Sequence, residues 1–218
     1  FLDVQQIKSV GLIGHLSGGV LACVVAATLG SRINAVVNIN GGVPIVSRKQ
    51  FDVMMPRQRV IALTARYAPK ALPLMLRAGI ALLDSGGERK FMRGLHRNSP
   101  RDHRLAQRPD VFEKIAEGYR FAVTQGHLAF QHESMLVTSD WDAYVDRIGC
   151  KVTYISGAHD GVVAISSVRE FVRRHPQIEL LECPEYGQLM LYGHPEEIGK
   201  PVIAALRAAT PNHRQSAS

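Results

Sequence analysis

Apolar positions along this chain fall into two textures. Residues 10–13, 33–39, 151–156 and 178–182 are short, mostly apolar runs that end in glycine, asparagine or a cysteine-proline turn. Runs of that length with turn residues at their ends predict buried strands of a parallel sheet. Residues 17–29, 164–174 and 195–209 have the spacing of helices, and Gly30 is placed to stop the first of them. Between 45 and 148 no strand-like run occurs. Residues 69–84 and 109–124 carry helical spacing there, with breaks at Ser85-Gly86-Gly87 and Asn98-Ser99-Pro100. The predicted order is strand, helix, strand, helical insertion, strand, helix, strand, helix. That order describes an α/β protein whose parallel sheet carries an all-helical insertion after its second strand. The expected organisation is core sheet over 1–44, helical cap over 45–148, core sheet and C-terminal helices over 149–209, and a flexible tail over 210–218.

The junction of the first strand with the first helix holds the densest chemistry. It reads Gly14-His15-Leu16-Ser17-Gly18-Gly19. Gly-x-nucleophile-x-Gly is the pattern of a sharp strand-to-helix elbow whose apex side chain is exposed for attack, with small residues flanking it. Gly14 and Gly18 fill the flanks, so the apex is Leu16, which has neither a proton nor a lone pair. A one-residue slip would make Ser17 the apex, but it would put bulky His15 where a small residue is needed.

Composition bounds the rest. A chain of 218 residues with 46% hydrophobic content suits one domain with a sizeable core. Its longest apolar run, residues 20–29, is too short to cross a bilayer and lacks a basic leader, so no membrane role is expected. Cys23, Cys150 and Cys183 are odd in number and far apart. They imply neither a disulfide framework nor a metal site, and they favour a reducing, cytoplasmic setting. No cofactor motif is present. The net charge of +7 is concentrated between Arg48 and Arg108, where 14 Lys and Arg face four acids. A solvated helical surface accounts for such a surplus. A contact with an anionic ligand is the sharper reading, and no nucleic-acid module accompanies the charge.

The chain resembles the second half of an α/β-hydrolase-fold domain, from the elbow strand onward and with a helical cap. The residues that carry the resemblance are the elbow at 14–18 and the segment Ser156-Gly157-Ala158-His159-Asp160-Gly161, in which Asp160 takes the place of the family's acid. The family's histidine belongs in the turn after residues 178–182, commonly as Gly-His-Leu. Here that triplet is Gly187-Gln188-Leu189. An amide cannot take a proton from a hydroxyl at neutral pH. The resemblance thus implies a triad degenerate at nucleophile (Leu16) and base (Gln188), with Asp160 left to bond Gln188 or nearby amides. It also implies that the strands preceding the elbow are missing, so that the N-terminal segment of the same protein is an expected partner. The strand at 10–13 would otherwise be an unpaired apolar edge, prone to aggregation.

Two functions remain open on these residues. One is a catalytically inert fold that binds a small molecule, apolar or anionic, with His15, Leu16, Ser17 and Gln188 around the ligand, and serves as a sensor or regulatory module. The other is an active hydrolase, of esterase or lactonase type, that uses a non-standard residue such as Ser17. His159, His194 and, within the cap, His127 are the remaining histidines weighed as substitutes for the missing base.

Overall fold

The computed structural model describes residues 1–96, 99–123 and 128–209. Four parallel strands lie side by side in chain order: β1 (Val10–His15), β2 (Ile33–Ile39), β3 (Lys151–Gly157) and β4 (Ile178–Cys183). Register runs Ile13 against Val37, Val37 against Thr153, and Thr153 against Glu179. Alternation along the strands divides the core. Val36, Val152 and Tyr154 face one layer, and Val37, Ile39 and Ile155 face the other.

The first layer is built by α1 (Ser17–Leu29) and α10 (Ile165–Arg174). Val20, Cys23 and Ala26 of α1 are buried there, and Phe171 of α10 packs against Tyr154 at 5.4 Å between ring centres. Gly30, at φ 54°, ends α1 and leads through a short 3-10 turn into β2. The opposite layer is α11 (Met190–Gly193) and α12 (Pro195–Ala209), whose Met190, Ile198 and Val202 cover Val37 and Ile155.

The stretch between β2 and β3 is helical among the described residues. It contains α2 (Lys49–Asp52), α3 (Pro56–Tyr67), α4 (Leu72–Asp84), α5 (Glu88–Leu95), α6 (Pro100–Leu105), α7 (Pro109–Val123), α8 (Leu128–Val137) and α9 (Asp142–Val145). Met92, Val111, Phe112, Ile115 and Ala116 give it a core of its own, which also takes in Leu189 from beyond β4. Its last residues belong elsewhere. Trp141, Val145 and Ile148 are buried in the layer beneath α1, with Trp141 6.0 Å from Phe171. The expected boundary at 148 is therefore late: the sheet's core reclaims the chain from Trp141, because a buried indole there completes the aromatic cluster. The segment 210–218, expected to be a flexible tail, lies outside the described residues.

Part of the basic charge is paired at the surface. Arg101 pairs with Glu185, Arg108 with Asp110, and Arg120 with Glu88 and Glu113, while Arg57 and Arg89 lie over the rings of Phe91 and Phe112. No helix among the described residues is long and apolar enough to cross a membrane.

Candidate ligand-binding site

The site lies at the C-terminal ends of the strands, where side chains from loops after β1, β2, β3 and β4 meet the helical stretch. Its sharpest feature is Leu16, between β1 and α1, at φ 55° and ψ −124°. Two hydrogen bonds pin that bend. The Leu16 N–H donates to the Ile39 carbonyl (3.0 Å), and its carbonyl accepts from the Gly19 N–H (3.0 Å). A leucine held at positive φ carries about 1–3 kcal/mol of strain, which the surrounding structure must offset.

Gly14 is required by space: a Cβ there would stand 2.2 Å from the Gly18 carbonyl oxygen. Gly18 is not, since a Cβ there meets nothing within 4 Å. The second crowded position is Gly19, where a Cβ would meet the Asn38 side chain at 2.4 Å. The expectation that both elbow flanks must be small is corrected accordingly. Fully buried Asn38 fills the room beside Gly19 and accepts the Gly41 N–H at 2.7 Å.

Leu16, Ser17 and Gln188 share one cavity of about 290 Å³. Its walls are chiefly apolar, with Val43, Ile45, Met54, Ile61, Val137 and Val163 among them. Ser17 is the first residue of α1. His15 does not line the cavity, contrary to the sequence expectation. At the end of a strand its side chain takes the opposite direction from its neighbours, and its ring meets Tyr192 edge-on at 5.3 Å. Burial lowers its pKa to about 4 against an opposing backbone hydrogen bond at Gln188, so the ring is neutral at pH 7.

Asp160 sits in the turn after β3. Its Oδ1 accepts the N–H groups of Val162 (2.7 Å) and Val163 (3.0 Å). Of the two partners expected for it, the structure supplies the amides. Desolvation pushes its pKa up to about 7, with those two amides opposing and the nearby Asp102 charge adding to the rise.

The turn carrying Gln188 is held from two directions. Asn40, at φ 49° just past β2, donates through Nδ2 to the carbonyls of Gly187 and Gln188, both at 2.9 Å, and accepts the Gly157 N–H at 2.8 Å. Asp102 of α6, fully buried, accepts the Gln188 N–H (3.0 Å), the Leu189 N–H (2.8 Å) and the Ser99 hydroxyl (2.6 Å). A Cβ on Gly187 would lie 2.5 Å from the Asp102 carboxylate. Sequence reasoning missed both residues. Asn40 reads as the polar cap of a strand, and Asp102 as one acid in a basic segment.

The substitute bases are elsewhere. His159 is exposed, and His194 packs on the Tyr186 ring at 4.7 Å, facing Glu197. His127 lies outside the described residues. Among the described residues no group of three or more His, Cys, Asp and Glu is arranged for a metal ion. The cavity walls carry no Lys or Arg among the described residues.

No family model and no curated protein matches the sequence. Solved structures do. A carboxylesterase of the Thaumarchaeon Nitrososphaera gargenis is 19% identical, with TM-score 0.60 over 95% of this chain and 68% of its own. A meta-cleavage product hydrolase from Pseudomonas fluorescens IP01 is 16% identical, with TM-score 0.61 over 96% of this chain and 68% of its own. A non-heme bromoperoxidase, so described, from Mycobacterium tuberculosis H37Rv is 15% identical, with TM-score 0.61 over 96% and 70%. The chain has the α/β-hydrolase fold. At these identities the likeness is one of fold, and fold alone assigns no reaction.

Proposed function

We propose that this is a hydrolase-fold domain that binds a small molecule without acyl-enzyme chemistry. The observation that carries the reading is Leu16 at the strained bend, φ 55°, among the residues that line the cavity. An elbow presents one side chain for attack, and an aliphatic one cannot attack. Gln188 stands where a proton acceptor is needed, and triad members act as a unit, so two replacements remove the basis of that chemistry. A mostly apolar cavity with a few polar groups is the ordinary form of a small-molecule site. The proteins of similar structure include carboxylesterases, which supports a small organic ligand.

The test uses the full chain with a fluorophosphonate probe and p-nitrophenyl acetate. The expected result is no labelling and no hydrolysis above buffer, together with a rise in melting temperature on adding a small apolar alcohol. Labelling mapped to Ser17 would establish the active-hydrolase alternative instead.

A further inference from the structure

The cavity walls hold one charge, and its sign is informative. Among the described lining residues Glu133, on α8, is the only ionisable group. It is partly buried, and no Lys, Arg or His pairs with it among the described residues. We propose that the cavity takes a ligand with an apolar body and a protonated amine, and that Glu133 receives the amine. The proposal rests on reading the cavity as a small-molecule site and names the ligand class.

The polar groups around the cavity divide into engaged and available. Gln50 is engaged: its Oε1 accepts the N–H groups of Val46 (2.8 Å) and Ser47 (2.9 Å), and its Nε2 donates to the Pro44 carbonyl (2.8 Å). Asn40 is engaged at both ends, as described above. The Thr138 hydroxyl donates to the Ser134 carbonyl at 2.6 Å. Glu133, Gln58 and Ser134 from the helical stretch, and Ser17, Ser167 and Gln188 from the sheet side, are left for a ligand among the described residues. None of these can supply a positive charge, and an ionised carboxylate only accepts hydrogen bonds.

Three ligand charges then fare differently. A carboxylate ligand in this space would face Glu133 with no cation among the described lining residues to offset the repulsion. A neutral ligand that covers Glu133 strips water from the carboxylate and returns at most a hydroxyl donor without a charge. An ammonium group restores the lost hydration with a charge-assisted hydrogen bond, while Ile61, Val137 and Val163 hold the hydrocarbon. The apolar walls make that bond stronger than it would be in open water.

Calorimetric titration of the full chain with cyclohexylmethylamine, cyclohexylmethanol and cyclohexanecarboxylate at neutral pH tests this. The amine is expected to bind about tenfold more tightly than the alcohol, and the carboxylate most weakly. Glu133→Gln should abolish the preference for the amine over the alcohol, and an unchanged melting temperature of the unliganded variant reports an intact fold. High salt should shrink the preference for the amine in the unaltered protein. Alcohol binding with no preference for the amine overturns the assignment to an amine and leaves the cavity reading standing. A preference that survives Glu133→Gln, or tightest binding by the carboxylate, overturns the role of Glu133. Binding of none of the three removes both readings.

Discussion

Asp102 and Asp160 are enclosed carboxylates near the same end of the sheet, and they hold different things. Asp160 accepts two amides of its own turn, two and three residues on. Asp102 reaches across the molecule to the amides of Gln188 and Leu189, 86 and 87 residues away, and takes the Ser99 hydroxyl as well. One carboxylate shapes a loop. The other fastens the helical stretch to the loop that carries Gln188. Position in a motif marks a residue's ancestry in the fold, whereas its donors tell what it supports in this chain.

The largest effect that sharpens the contrast is removal of the long-range acceptor. Asp102→Ala leaves the Gln188 and Leu189 N–H groups without a partner and should lower unfolding free energy by about 3–5 kcal/mol in urea titrations. A loss under about 1 kcal/mol would break the comparison. Gly187→Ala pushes a methyl group into the same carboxylate and should lose about 2–3 kcal/mol, by the same measurement.

Asp160 should show itself chiefly through pH. Its folded pKa of about 7 lies above the ordinary 3.8, so the folded state holds its proton more tightly. Its contribution is therefore complete below about pH 4 and is lost as pH rises toward 7. His15, lowered to about 4, and His96, also lowered by burial, work the other way: the folded state gains stability as pH climbs to 6.5. Asp160→Asn should unmask that gain, giving a steeper rise in stability between pH 4.5 and 6.5 than the unaltered chain. An unchanged profile would mean that the carboxyl is solvated. The smallest effect concerns the bend itself. Leu16→Gly removes strain at φ 55° and should raise stability by about 1 kcal/mol, despite the freer unfolded chain.

Much of the sheet was legible because its signals are local. The run at 33–39 coincides with β2, residues 17–29 with α1, and 195–209 with α12. The bend at Leu16 was legible for the same reason, since glycines nearby constrain it. The reason for the glycines was only half legible: Gly14 meets Gly18, but Gly19 is small because of Asn38, which arrives from the next strand. Asp102 and Asn40 left no local trace, because each takes its meaning from amides or carbonyls near residue 187. The basic surplus between 48 and 108 reads as a solvated helical surface, with an anionic ligand as the sharper alternative. Arg101 and Arg108 lie on acids and Arg57 and Arg89 on aromatic faces, arrangements that composition cannot distinguish from a charged pocket.

β1 ends the sheet, pairing with β2 on one side and with no strand on the other among the described residues. Ile13 on it is 55% exposed, and Ile203 of α12, in the layer that Ile13 faces, is 50% exposed. Where no further segment covers this edge, a row of free peptide groups beside aliphatic side chains is a template for stacking one molecule onto another, and mutual repulsion from a net charge of +7 is what opposes it. Salt weakens that repulsion, shortening its range from about 10 Å at 0.1 M to about 3 Å at 1 M. Light scattering should therefore rise with ionic strength, and a lysine in place of Ile13 should suppress the rise. For this chain, colloidal behaviour is written into one strand edge and read out by the solvent.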